Sequence, residues 1–275
     1  MIFLRSCQFW QSDLGLRILP SIVMIIAIIS ISYYGGFLFL FLSVILSCFL
    51  FYEWTMIVKQ EEFDKNFFFS LSVFIIAMML ILLRFNDIAF LLLIFSVLFT
   101  IFINSSYERI RAIWLVGGAV YSSIPALTFC LIRGEMTRFE GGSFALLMFI
   151  YFSVWATDIF AYLSGRFFCG PKLLPILSPQ KTWSGAIGGL WGALFVGFIF
   201  FIKIDGFHLR SIILFSAFLS VICQIGDLFV SWVKRCFSVK DSSHLIPGHG
   251  GVLDRADSLV AAVIPVAIFL VLNSP

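Results

Sequence analysis

Apolar runs long enough to cross a bilayer recur along nearly the whole 275-residue chain. With 61% apolar residues and 18% aromatic ones, 35 of them Phe, the sequence lies far outside the soluble globular range. A hydrocarbon core about 30 Å thick takes roughly 20 apolar residues of helix, and tilt or snorkelling accommodates shorter runs. Nine runs qualify, at approximately 16–34, 36–52, 67–83, 88–103, 113–132, 143–163, 183–202, 211–233 and 258–273. The expected fold is an all-α polytopic integral membrane protein of about nine transmembrane helices. Gly35-Gly36 and the segment from Arg84 to Asp87 are so short that the helices they join must be antiparallel hairpins.

Alternating loops fall into two sets, and basic residues divide unequally between them. Thirteen of the eighteen (Arg5, Arg17, Lys59, Lys65, Arg109, Arg111, Arg166, Lys172, Lys181, Lys234, Arg235, Lys240 and Arg255) lie on one set, and five (Arg84, Arg133, Arg138, Lys203 and Arg210) on the other. This places the N-terminus in the cytosol and the C-terminus outside. Setting aside Lys234, Arg235, Lys240 and Arg255, which have chemistry of their own, still leaves nine against five.

A net charge of +3 without a basic stripe interleaved with exposed aromatics excludes nucleic acid as a partner. Six cysteines, Cys7, Cys48, Cys130, Cys169, Cys223 and Cys236, contain no C-x-x-C pair and read as packing residues. The first apolar run ends in Tyr33-Tyr34 without an A-x-A-like site, so it reads as a retained span and not a cleaved leader. Residues 1–112 hold four spans with little internal chemistry, and the loop 53–66, EWTMIVKQEEFDKN, reads as a solvated connector. Residues 113–275 carry the polar motifs. No repeat separates the two parts, so they form one integral unit.

Ionisable residues inside membrane segments are expensive and mark function. Asp158, in SVWATDIFAYLSGR, and Asp227, in CQIGDLFVSWVKR, both lie toward the cytosolic ends of their spans. Asp227, Ser231 and Lys234 are spaced i, i+4, i+7 and share one helical face. The following loop carries Arg235, Lys240-Asp241 and the run PGHGG, whose Gly250 and Gly251 let backbone N–H groups approach an anion without Cβ interference. Asp254 and Asp257 follow at i, i+3, with Arg255 between them able to fork onto phosphate oxygens. His249 is suited to bind phosphate or transfer a proton, whereas His244 reads as an ordinary loop histidine. Carboxylates without His or Cys partners suit hard, oxygen-preferring Mg²⁺ and exclude zinc. In a second cytosolic loop, 164–182, Ser178, Lys181 and Thr182 are expected at a helix N-terminus, where free N–H groups favour anions. Arg166 and Lys172 read equally well as topology signals. Gly185, Gly188 and Gly189 in the next span are expected to allow close helix contact.

These residues resemble the phosphatidate cytidylyltransferases, also called CDP-diacylglycerol synthases. The signature S-x-x-K-R-x4-K-D, then a hydrophobic residue, P-x-H-G-G-x-x-D-R-x-D, is met by Ser231, Lys234, Arg235, Lys240, Asp241, Ile246, Pro247, His249, Gly250, Gly251, Asp254, Arg255 and Asp257. Upstream, Asp158, Ala161-Tyr162, Gly165-Arg166 and the segment from Ser178 to Trp183 are similar to further family elements. The motifs span roughly 155–260; the N-terminal spans match in hydropathy alone. Val230 stands where many relatives have Glu, Gln180 where Lys is common and Ser184 where Glu is common.

The resemblance implies transfer of CMP from CTP to phosphatidic acid, giving CDP-diacylglycerol and pyrophosphate at the cytosolic face of a bacterial inner membrane. It implies Asp227, Asp254 and Asp257 as ligands of a two-cation centre containing Mg²⁺. Lys181, Lys234, Arg235, Lys240 and Arg255 are implied to neutralise the triphosphate and lipid phosphate, and a homodimer is left open. An ion-coupled transporter would place its polar residues near the bilayer midplane in two broken-helix halves; here they crowd one face. A phosphatidyltransferase using a CDP-lipid would need a D-x-x-D-G-x-x-A-R pattern, which is absent.

Overall fold

A computed structural model describes residues 23–59, 65–83, 109–133, 142–203, 208–243 and 250–272, with a few isolated positions besides. The described chain is mainly helical: α1 (Val23–Tyr34), α2 (Gly36–Lys59), α3 (Lys65–Leu82), α4 (Arg109–Arg133), α5 (Gly142–Phe168), α6 (Trp183–Lys203), α7 (Leu209–Cys236) and α8 (Leu253–Leu272). Five of these contain stretches long and apolar enough to cross a membrane, Gly36–Val58, Arg111–Arg133, Gly142–Phe168, Trp183–Lys203 and Leu209–Cys236. Helix α8 carries Asp254, Arg255 and Asp257 in its first turns. The helix expected over 88–103 lies almost wholly outside the described residues.

One expectation needs correction. The fold is not purely helical, because strands β1 (Lys172–Leu174) and β2 (Ser178–Thr182) form an antiparallel hairpin between α5 and α6, with Lys172 opposite Thr182 and Leu174 opposite Ser178. Its base is tied to α6 where Trp183 N–H donates to Pro171 O at 3.0 Å and Gly170 N–H to Ser184 Oγ at 3.2 Å. Ser184, one of the departures from the family pattern, thus anchors the hairpin.

Helices α5 and α6 approach closely because glycines face α5. A Cβ on Gly185 would lie 2.8 Å from Ala161 O, on Gly189 2.9 Å from Thr157 O, and on Gly192 2.7 Å from Ala156 O. The small-residue contact expected of Gly185, Gly188 and Gly189 is present, with Gly192 extending it. At the opposite end of the bundle α1 turns into α2 through Gly35 and Gly36, at φ +64° and +60°. Arg133, at the end of α4, donates to the Ser32 and Tyr33 carbonyls and to Ser143 Oγ. Carbonyls left over at a helix C-terminus are natural acceptors for a cation, so Arg133 holds that turn.

Three buried clusters define the described interior. One gathers Phe51 of α2, Phe74 and Met78 of α3 and Ala126 of α4. A second gathers Leu147 and Ile150 of α5, Leu219 and Cys223 of α7, and Ala262 and Val263 of α8. The third gathers Leu50 and Trp54 of α2, Leu115 of α4, Val230 and Val233 of α7, and Leu253 of α8. Val230 is fully buried there, so this departure from the expected signature serves as apolar packing. Trp54 donates from Nε1 to Trp114 O at 2.8 Å and lies against Gly118, where a Cβ would come within 2.1 Å of its ring. Cys223 is buried as expected of a packing residue, but Cys169 and Cys236 are exposed; the five described cysteines are free thiols.

Candidate active site

The polar residues converge at one end of the bundle, where β2, α7 and the start of α8 meet. On α7, Asp227 and Lys234 share a face, as the spacing predicts, and each takes a partner of opposite charge from another element. Lys181 Nζ of β2 lies 2.5 Å from Asp227 Oδ2, and Lys234 Nζ donates to Asp254 Oδ1 at 2.7 Å. Seven residues of helix separate the two α7 positions by about 10 Å along the axis. Ser231 lies between them, half-buried.

The first pole is a cluster of carboxylates. Asp257 is buried, and Asp227 and Asp158 both act electrostatically on it, with Lys181 as the nearby positive charge. Ser258 Oγ donates to Asp158 Oδ1 at 3.4 Å, while Ser258 N–H donates to Asp257 Oδ1 at 2.8 Å. Lys181 makes an ion pair with Asp227 but no aligned hydrogen bond. Tyr121 OH reaches the Asp257 carbonyl at 3.4 Å and closes the cluster from α4.

Asp254 forms the second pole. Its Oδ2 accepts Ser242 N–H at 3.0 Å and Gly251 N–H at 3.3 Å, and lies 3.0 Å from Ser242 Oγ, whose one proton it shares with Glu53 Oε2. Burial works to raise its pKa. The hydrogen bond from Lys234, the Ser242 amide, the Lys234 charge and the Gly251 amide together outweigh burial and hold the carboxyl below its ordinary value. Gly251, expected to offer its N–H to a substrate anion, here gives it to the Asp254 side chain. Gly250, at φ +83°, supplies the left-handed turn before it.

Other expected residues fall around this frame. Of Ser178, Lys181 and Thr182, only Thr182 occupies a helix N-terminus: it caps α6 by accepting Gly185 N–H at 3.1 Å. Ser178 and Lys181 belong to β2. Arg166 donates to Tyr162 OH at 2.8 Å, and Arg235 to Val239 O at 3.3 Å. Lys240, Asp241 and Arg255 are exposed at the rim. His244 and His249 lie outside the described residues.

Glu53 was absent from the expected set, and its loop was expected to be solvated. Instead α2 continues to Lys59 and Glu53 is completely buried. It accepts hydrogen bonds from Ser242 Oγ (2.9 Å), Ser243 Oγ (2.6 Å), Val252 N–H (2.8 Å) and Leu253 N–H (2.6 Å). The available signal was its setting, FLFYEWTMIV, in which apolar residues flank the acid on both sides.

A membrane-embedded helical bundle with opposed carboxylates and ammonium groups at one end defines a class suited to handling phosphates. The chain belongs to the cytidylyltransferase family, whose family model matches residues 15–273. It is 37% identical over 263 residues to a phosphatidate cytidylyltransferase of Brucella abortus biovar 1 (strain 9-941), covering 94% of each chain. Proteins of the same name from Rickettsia conorii and Rickettsia felis are 40% and 39% identical over 154 and 165 residues, covering 51% and 54% of this chain and 67% and 72% of theirs.

Proposed function

We propose that the chain transfers CMP from CTP to phosphatidic acid, releasing pyrophosphate and leaving CDP-diacylglycerol in the bilayer. The observation that carries this reading is the alternation of charge along α7 and the start of α8: Lys181 against Asp227, then Lys234 against Asp254. Half-buried charges of both signs placed in turn along the two helices can hold two polyanionic reactants side by side. The same reading has nine spans, a cytosolic N-terminus, the site at the cytosolic face and the bacterial inner membrane as location; its bacterial relatives support that location. A homodimer is compatible, but no step needs a second copy.

A phosphate oxygen of phosphatidate attacks the α-phosphorus of CTP, and the bond from that phosphorus to the β,γ-diphosphate breaks. The nucleophile is already anionic at neutral pH, so no general base is required. Both reactants carry negative charge, and the site's work is to bring them together and in line. Lys181 and Lys234 leave their carboxylate partners for substrate phosphates, while Arg166, Arg235, Lys240 and Arg255 screen the rim. His249 is a further phosphate contact, and Ser178 and Ser231 supply neutral donors.

Magnesium fits the donor chemistry. Asp158, Asp227 and Asp257 gather around one ammonium, and every candidate donor is oxygen. Among the described residues no three His, Cys, Asp or Glu side chains already stand at ligating distance. Mg²⁺ commonly takes only one or two carboxylates, with waters and substrate phosphates completing its shell. Asp227 and Asp257 would hold it, and Asp254 is the remaining carboxylate for a second cation. When bound, such ions supply charge neutralisation of the triphosphate.

Purified protein in mixed micelles should release pyrophosphate from CTP only when phosphatidate is present, and Asp254→Ala should abolish that release. Release without phosphatidate would overturn the acceptor assignment, and activity surviving the substitution would overturn the role of Asp254.

A further inference from the structure

The reaction proposed above leaves Glu53 unused, although the fold buries it completely. Its two oxygens take four neutral donors from the two ends of one segment. Ser242 and Ser243 open the segment 242–253 within the α7–α8 connection, and the Val252 and Leu253 amides close it where α8 begins. Amides at a helix start have no partner within their own helix and usually rely on a capping side chain just before it. Here the residues before Leu253 are Gly250, Gly251 and Val252, none of which can cap. Glu53 does so from another helix, and its negative charge sits at the positive end of the α8 dipole.

The contact continues into the site. Ser242 Oγ lies 2.9 Å from Glu53 Oε2 and 3.0 Å from Asp254 Oδ2, and the Ser242 amide also donates to Asp254 Oδ2 at 3.0 Å. Gly251 is shaped to this arrangement: a Cβ there would lie 1.9 Å from Ser242 Oγ and 2.5 Å from Glu53 Oε2. Asp254 in turn holds Lys234. One buried carboxylate thus fixes both ends of the segment and, through one serine, the orientation of the Lys234–Asp254 pair.

We propose that Glu53 is a positioning residue for cytidylyl transfer, a clasp in α2 that orients Asp254 through Ser242. The proposal rests on the reaction reading for its kinetic consequence, but the clasp itself is testable without it. Glu53→Gln keeps shape and turns one acceptor into a donor facing N–H and O–H groups. Three measurements on purified protein test it: thermal unfolding, hydrogen exchange across 240–257, and kcat and KM for CTP.

The expected result is an unfolding midpoint within a few degrees of wild type and at least tenfold faster exchange at Val252 and Leu253. With it, kcat falls about 10- to 100-fold, the range for lost hydrogen bonds to a charged group. KM for CTP stays within about threefold, because Lys181 and Arg166 lie on other elements. Adding Ser242→Ala to Glu53→Gln should lower kcat by less than twofold more, since both act on the same link. Unchanged exchange, kcat within twofold of wild type, a rise in KM alone, or multiplicative losses in the double variant would each overturn the proposal. If Glu53→Gln does not fold, Ser243→Ala, which removes one donor, decides in its place: a smaller change in exchange and kcat supports the clasp, and no change in either overturns it. If wild type releases no CTP-dependent pyrophosphate, the reaction reading fails and the exchange data alone decide the clasp.

Discussion

Replacing Lys234 by alanine removes the ammonium that donates to Asp254 Oδ1 while leaving the donors from Ser242 and Gly251 in place. Lys234 Nζ stands 2.7 Å from Asp254 Oδ1, and both side chains are 14% exposed. Breaking a fully buried pair by removing one partner costs about 3–5 kcal/mol. Asp254 keeps Ser242 N–H, Ser242 Oγ and Gly251 N–H, so the appropriate figure is that of one charged hydrogen bond, about 2 kcal/mol. In a chain of this size that lowers the unfolding midpoint by about 4–8 °C. Thermal unfolding of Lys234→Ala, Asp254→Asn and the double variant in detergent measures the pair directly, with an expected coupling of at least about 1 kcal/mol. The acid side gives a second reading. Because the Asp254 carboxyl is held below its ordinary value, its contribution is fully present above about pH 4 and is lost as pH falls through the lowered folded value. Asp254→Asn should remove that part of the acid slope. Single-variant losses that add to within about 0.3 kcal/mol, or an acid slope identical in wild type and Asp254→Asn, would refute the pairing.

Gly192→Ala should destabilise the fold by about 1–3 kcal/mol, since its Cβ would lie 2.7 Å from the Ala156 carbonyl, whereas Gly117→Ala, with nothing within 4 Å, should be neutral or stabilising by up to about 1 kcal/mol in the same unfolding assay. Thr182→Ala should cost about 1 kcal/mol through loss of the α6 cap, and Thr182→Ser should restore it. Arg133→Ala should speed hydrogen exchange around Gly35 by freeing the Ser32 and Tyr33 carbonyls, while leaving exchange in α8 unchanged.

Much of the site could be read before any coordinates. Asp227 and Lys234 sit on one face of α7 because seven residues make nearly two helical turns, and Gly185 and Gly189 pack on α5 because nothing larger fits. The pairing of those charges was not legible, since Lys181 meets Asp227 only once β2 folds over the end of α7. The hairpin itself escaped because GPKLLPILSPQKT contains three prolines and no alternation of polar and apolar residues, so tertiary packing and not local preference makes it strand. Glu53 escaped for a related reason. A charge after an apolar run reads as the end of a span, and the donors that make its burial tolerable come from residues 189 to 200 positions away.

That separation has a consequence for biogenesis. Helix α2 enters the membrane early in synthesis, while Ser242 is still 189 residues from being made. At about 5–20 residues per second, roughly 10 to 40 seconds pass before the carboxylate can meet its donors. Throughout that interval the growing chain carries Glu53 without the donors that surround it in the folded protein. The Val252 and Leu253 amides at the start of α8 complete its set of donors, so Glu53 is sealed only when α8 is in place. A chain cut short between Ser243 and Val252 offers the acid only two of its four donors, a chemical mark by which it differs from one that has made α8.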